Sequence, residues 1–343
     1  MRARICLTSY IFETNQTGRA FIEALSTAKM RGIDVRVLLD GIGAYYTFPT
    51  ASNLLIKKGV NVVRFTPPQL YPPAFYINLR NHRKLLIIDN STGFTGGMNI
   101  GDRQLRQRTD GRQGISDMHF KIQGPTVAEL QRVFEEDWAF ARGKPVNSVP
   151  PTTAPERHCH GKAICRVITD GPNEDIGKLM MTLSGAFALA RQRIAIMTPY
   201  FLPPPVLINA LQSAALRGVE VSIILPAQSN QKLAHWATRN MLWELLQYGV
   251  QIYYQPPPFA HSKFLLIDQQ YAQIGSANMD PRSLRLNFEL IVEVFDASFV
   301  ATLAEHFEAT RELSTQESLS GVDQRPFLIR IRDALAWLLS PYL

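Results

Sequence analysis

The chain has 343 residues, 46% of them apolar, enough to bury a large core and fill two domains of ordinary size, so a folded body is expected. The formal net charge of +7 is spread along the chain and points to anionic partners: nucleic acid, anionic lipid head groups or phosphorylated small molecules. Three cysteines, Cys6, Cys159 and Cys165, are too few and too odd in number for a disulfide framework and suit a reducing compartment, which predicts a location on the cytoplasmic side.

In chain order, Ile5 to Phe12 is rich in β-formers, Phe21, Ile22, Leu25 and Ala28 follow a helical stripe, and Val35 to Leu39 reads as a buried strand. The segment PPQLYPPAFYINLR, Pro67 to Arg80, is aromatic and apolar with a basic end. It suits either a lip that meets acyl chains or a loop packed on its own domain. A run without apolar periodicity, residues 143–161, carries Pro145, Pro150, Pro151 and Pro155 and is the expected linker. Within and beside it, His158, Cys159, His160 and Cys165 include metal-ligand types, but their spacing fits no zinc pattern.

Beyond the linker the chain repeats itself. RICLTSYIF from Arg4 is answered by RIAIMTPYF from Arg193, RGIDVRVLLD from Arg31 by RGVEVSIILP from Arg217, and HRKLLIID from His82 by HSKFLLID from His261. KGVNVVRFTPP from Lys58 answers YGVQIYYQPPP from Tyr248 in the same order, so the chain is a duplication. Each half alternates strand and helix, which predicts α/β layers, and two such halves should pack around a shared cleft. The expected divisions are a first repeat over 1–142, the linker, a second repeat over 162–325 and a C-terminal amphipathic helix over 326–343. The second half opens with an extra strand, AICRVIT from Ala163, and a helix ending near Arg191; the first half is expected to lack both. The last segment places Phe327, Ile331, Leu335, Leu338 and Leu339 at helical spacing beside Arg330 and Arg332, which fits a helix on a membrane interface or one docked on the body. No apolar run approaches the roughly 18 residues of a spanning helix, and no stretch reads as the n-region plus h-region of a signal peptide.

The chemistry-bearing residues recur with the repeat. The first half has His82, Lys84, Asp89, Gly97 and Asn99; the second has His261, Lys263, Asp268, Ser276 and Asn278. Histidine and lysine are two apart in both, so they share one face of a strand, and histidine and asparagine are seventeen apart in both. An imidazole is a usable nucleophile near neutral pH, and a second one can protonate a leaving alkoxide and later deprotonate an incoming alcohol. Lysine and asparagine donors, Lys84, Lys263, Asn99 and Asn278, meet charge on non-bridging phosphoryl oxygens, so neither a metal nor a cofactor is required.

The paired pattern H-x-K-x4-D followed by G-G-x-N or G-S-x-N resembles the HKD motif of the phospholipase D superfamily, over nearly the whole chain. Within it, NHRKLLIIDNSTGFTGGMNIGD, IGSANMDPRSLRLNFE and the ending LLSPYL are similar to the bacterial cardiolipin synthases. The resemblance implies an α/β fold of two such repeats, His82 as nucleophile through a phosphohistidine and His261 as acid and base, although the two rings can exchange these roles. It also implies a carboxylate downstream of each motif set against a histidine, here Asp117 and Glu289, while Asp89 and Asp268 brace the fold. His119, His235 and His306 are assigned to the surface or to second-rank positions, and the aromatic residues of the repeated strands to the core.

The implied substrate is an anionic phospholipid at a membrane surface. Phosphatidylglycerol gives its phosphatidyl group to His82, and a second phosphatidylglycerol receives it to form cardiolipin, at the cytoplasmic face of a bacterial inner membrane. A lipid hydrolase is the nearest alternative. A nuclease is disfavoured because small phospholipase D nucleases are usually single-repeat chains that dimerise. The sequence leaves oligomeric state open.

Overall fold

The computed structural model describes residues 3–67, 69, 70, 73, 74, 78–105, 111, 113–144, 161–172 and 176–342. The chain divides into two compact units, Met1–Lys162 with Asn287–Leu290, and Ala163–Leu286 with Ile291–Leu343. Most of the expected linker lies outside the described residues, as do His158, Cys159 and His160 and half of the aromatic segment before His82.

The first unit runs β1 (Arg4–Ser9), α1 (Gln16–Met30), β2 (Asp34–Asp40), α2 (Ala51–Lys57), β3 (Asn61–Phe65), a short hairpin of β4 (Gln69–Leu70) and β5 (Pro73–Ala74), β6 (Leu85–Ile88), β7 (Thr92–Gly96), β8 (His119–Gln123) and α3 (Thr126–Ala141). Its main sheet has the order β3-β2-β1-β6-β7-β8: parallel across the first three strands and antiparallel beyond. The Asn15 side chain caps α1 by accepting from the Gly18 amide, and the helix then lays Ile22, Leu25 and Ala28 against Leu7, Val35, Val37 and Leu39. Successive strand residues point to opposite faces, so Cys6 turns the other way, towards α3, whose Gln131 amide lies 3.4 Å from its sulfur. Helices thus cover both faces of the sheet. Burial of Cys6 pushes its thiol up to about 12, so it stays protonated.

The second unit runs β9 (Ile164–Asp170), α4 (Lys178–Leu189), β10 (Arg193–Met197), α5 (Pro205–Leu216), β11 (Glu220–Pro226), α6 (Lys232–Leu246), β12 (Gln251–Gln255), β13 (Phe264–Ile267), β14 (Tyr271–Gly275), β15 (Glu289–Phe295), α7 (Ala297–Glu312), β16 (Thr315–Gln316), α8 (Leu319–Asp323) and α9 (Phe327–Trp337). Its sheet order, β16-β12-β11-β10-β13-β14-β15-β9, contains the first sheet's pattern in its middle six strands. Even the register recurs: Ile5 faces Ile88 between β1 and β6, and Ile194 faces Ile267 between β10 and β13. The second sheet has β9 at one edge and β16 at the other, without counterparts in the first sheet among the described residues. The fold is α/β, built of two like repeats.

One feature departs from simple halves. Residues Asn287–Leu290, from the second repeat by sequence, group with the first unit. Phe288 holds them there: its ring lies 4.9 Å from that of Phe65 and 5.6 Å from that of Phe140, and its backbone pairs with Asn81. An apolar side chain buried between two aromatic rings outweighs the sequence bookkeeping.

No helix among the described residues is long and apolar enough to cross a membrane. Asp89 and Asp268 each follow a central strand in the left-handed region, at φ 52°. Asp89 accepts from the Arg4 amide at 2.8 Å; Asp268 accepts from the amides of Arg191, Gln192 and Arg193 at 3.3, 2.8 and 2.9 Å. Each therefore ties the start of one strand to the end of its neighbour. Replacing Asp268 by Ala is expected to cost about 2–3 kcal/mol, since charge-assisted bonds are lost and a Cβ-only side chain tolerates positive φ poorly. Asp268→Asn should cost less, and urea unfolding of both variants checks the order.

Candidate functional site

His82 sits in the turn entering β6, and its surroundings are built from the first unit. Its Nδ1 lies 3.0 Å from Oε1 of Glu289, whose side chain is 0% exposed. The backbone follows suit: the His82 amide donates to the Phe288 carbonyl at 2.9 Å, and the Phe288 amide donates to the Arg80 carbonyl at 2.8 Å. A buried carboxylate this close to Nδ1 favours, for a neutral ring, the tautomer with its proton on Nδ1 and its lone pair on Nε2. The ring of Tyr10 meets that of His82 edge-on at 4.6 Å, which limits its rotation.

The residues flanking His82 are locked from beneath. Arg80, 2% exposed, pairs with Asp40, which also accepts from the amides of Ile42, Gly43 and Asn81. The Asn81 amide group donates to Asp137 at 2.9 Å, and Arg83 meets the other oxygen of Asp137 at 2.5 Å. Nε of Arg83 in turn donates to the carbonyl of Glu289 at 3.0 Å. Two buried acids, Asp40 and Asp137, therefore clamp both sides of the histidine, and Asp137 does so through an Arg83 that also holds the Glu289 backbone. Burial pushes both carboxyls upward, against the pull of Arg80 on Asp40 and of Arg83 on Asp137.

Lys84 is 3% exposed and donates to the His82 carbonyl at 2.6 Å. Burial lowers its pKa, opposed by the negative charges of Glu289, Asp117 and Asp40. Asn99, half-buried, accepts from the Ile11 amide at 3.1 Å. Asp117 presses on Gly97 so closely that an added Cβ there would lie 2.3 Å from Oδ1, which explains the glycine. His119, one strand position from Met118, is held neutral by burial, its pKa pushed down to about 4. The sequence assigned Tyr10 to the core, made Arg80 the basic end of a lip or loop where it is in fact buried on Asp40, and gave Asn81, Arg83, Asp40 and Asp137 no role. Their signal was their company: four polar residues in a row, Arg80 to Arg83, entering an apolar strand.

In the second unit His261 enters β13 in the same way, with different company. Nζ of Lys263, 5% exposed, donates to the His261 carbonyl at 2.7 Å and lies 3.0 Å from Nδ1 and 3.1 Å from Nε2. An ammonium donates and cannot accept, so this contact requires a lone pair on the ring. Tyr200 and Phe259 approach the ring at 6.3 and 5.9 Å. Ser276 is 0% exposed, and Asn278 donates to Ser283 at 3.2 Å. Lys263 and Asn278 line one small cavity of about 30 Å³ together with Thr198 and Gln273, room for about one water.

The structure thus sets Glu289, not a carboxylate that follows the first motif, against His82. Asp89 and Asp268 stand at the far ends of β6 and β13, away from their histidines. His235 and His306 are both lowered by burial and belong to neither arrangement. Cys165 lies half-buried on β9. Among the described residues no group of three or more His, Cys, Asp or Glu is placed to hold a metal ion.

The family model described as "Cardiolipin synthase, PLD-like domain" matches residues 2–138 and 183–311. The chain is 33% identical to the major cardiolipin synthase of Bacillus subtilis over 344 residues, covering 99% of this chain and 70% of the relative. It is 34% identical to cardiolipin synthase 1 of Staphylococcus epidermidis, covering 99% and 69%. Among solved structures, phosphatidylserine synthase of Haemophilus influenzae superposes with a TM-score of 0.75 at 15% identity, over 100% of this chain and 90% of that one, a likeness of fold.

Asp137→Ala is expected to destabilise the protein by about 3–5 kcal/mol, because Arg83 is left charged and buried without its partner. Asp137→Asn should cost less; chemical denaturation measures both. The unfolded chain binds a proton at His119 near the ordinary pKa of 6.5, whereas the folded chain resists until about 4. Stability should therefore fall as pH drops from about 6.5 towards 4, and His119→Gln should flatten that part of the profile.

Proposed function

The chain belongs to the cardiolipin synthase family of phospholipase D-like proteins, and on that basis we propose that it is a phosphatidyltransferase that makes cardiolipin from two molecules of phosphatidylglycerol. His82 attacks the phosphorus of the donor, a P–N bond forms, and the P–O bond to glycerol breaks. His261 supplies the proton that the glycerol oxygen needs. The primary hydroxyl of a second phosphatidylglycerol then attacks the phosphohistidine, giving its proton back to His261 and releasing His82. Lys84, Lys263, Asn99 and Asn278 offset charge on the non-bridging oxygens.

The observation that carries this reading is the 3.0 Å contact between His82 Nδ1 and the buried Glu289. It supports His82 as the nucleophile, because the carboxylate stabilises the positive ring that exists while the P–N bond forms. Lys263, 3.0 Å from Nδ1 of His261, gives that ring a cationic neighbour where His82 has an anionic one, which supports unlike roles for the two rings. The proposed setting is a peripheral one, at the cytoplasmic face of a bacterial inner membrane, in keeping with the sparse cysteines.

Purified protein given phosphatidylglycerol vesicles should release cardiolipin and glycerol in equal amounts, with or without a chelator. Phosphatidic acid as the sole lipid product would instead mean hydrolysis, and cleavage of single-stranded DNA would mean a nuclease. His82→Ala and His261→Ala should each lower turnover at least about a thousandfold without loss of fold. Glu289→Gln should lower kcat about ten- to a hundredfold while KM stays put. A phosphohistidine should accumulate in His261→Ala and be absent from His82→Ala; the reverse labelling would exchange the two roles.

A further inference from the structure

We propose that α9 is the element by which the protein sits on an anionic bilayer, its outward stripe entering the acyl region; this rests on the lipid reading above and assigns the surface that meets the lipid. The inner side of α9 is fully accounted for. Asp333, 0% exposed, accepts from Arg325 at 2.7 Å and from Arg332 at 2.6 Å, with Arg239 of α6 at 3.8 Å, and Ala336 is buried beside it. The Arg332 guanidinium stacks over the Trp236 ring at 4.4 Å. These contacts fix which face points outward.

That outward face is apolar. Phe327, Leu328, Ile331, Leu335 and Leu338 fall within an arc of roughly 100° at 3.6 residues per turn, and all are exposed, Leu328 at 77% and Leu338 at 65%. Scattered exposed leucines need no explanation, but five large side chains on one stripe opposite the docked face are a contiguous patch. The helix also sorts its charges. Its one acid is the buried Asp333, neutralised by arginines, while Arg330 is left exposed beside the stripe. A stripe of apolar side chains bordered by a cation, on a helix that itself exposes no acid, is complementary to a bilayer rich in anionic head groups, which the chain's net charge of +7 also favours.

The test is co-sedimentation of the full chain with vesicles of equimolar phosphatidylglycerol and phosphatidylcholine, read beside turnover of a short-chain, water-soluble phosphatidylglycerol. In the triple variant Leu328→Glu, Leu335→Glu, Leu338→Glu the vesicle partition should fall at least about tenfold, with turnover of the soluble lipid unchanged. Arg330→Gln should weaken partition about fivefold, the effect of one cation near a charged surface. Undiminished partition of the triple variant overturns the proposal. So does a wild-type dimer in analytical ultracentrifugation that becomes monomeric in the triple variant while vesicle binding persists, since the stripe would then be an interface between copies. If wild type binds vesicles, the triple variant does not, and neither turns over the soluble lipid, docking stands and the phosphatidyltransferase reading fails.

Discussion

In the proposed role of nucleophile, His82 must keep one ring nitrogen unprotonated and hold still, and its contact with the buried Glu289 is suited to both needs. Glu289 is wholly buried, so its charge is poorly screened and its geometry well fixed. A buried carboxylate without support would take up a proton or move. Here the support is covalent and electrostatic at once: Phe288, its chain neighbour, is wedged between Phe65 and Phe140, and Arg83 grips its own carbonyl.

The layers below extend the same logic. Four consecutive residues, Arg80 to Arg83, carry polar side chains into the interior, and three of them end on Asp40 or Asp137. Buried ion pairs contribute little to stability compared with apolar packing, because desolvation offsets most of the attraction, but breaking one leaves a stranded charge. Such a network is a poor way to gain stability and an effective way to allow one arrangement. The turn that carries His82 is set by it on both sides.

The two units use one scaffold for two electrostatic settings. His82 faces a carboxylate, and its lysine is turned to a backbone oxygen; His261 has its lysine against the ring. The strands, register and aspartate ties that deliver the two rings are the same. A duplicated frame with divergent neighbours is how identical residue types acquire unlike chemistry, since the environment of an imidazole decides which proton state it favours.

The sequence by itself determined the duplication, the α/β alternation and the identity of the motif residues, because strand and helix periods and fixed spacings are local properties that survive in one dimension. It took packing in three dimensions to set Glu289 against His82, to bring Tyr10 beside that ring and to clamp the turn with Asp40 and Asp137. Those contacts join residues from 40 to more than 200 positions apart, and no periodicity encodes which buried acid finds which base. Likewise the spacing of α9 defined one apolar stripe, but packing against α6 was needed to show that the opposite side, with Asp333 and Ala336, is the buried one.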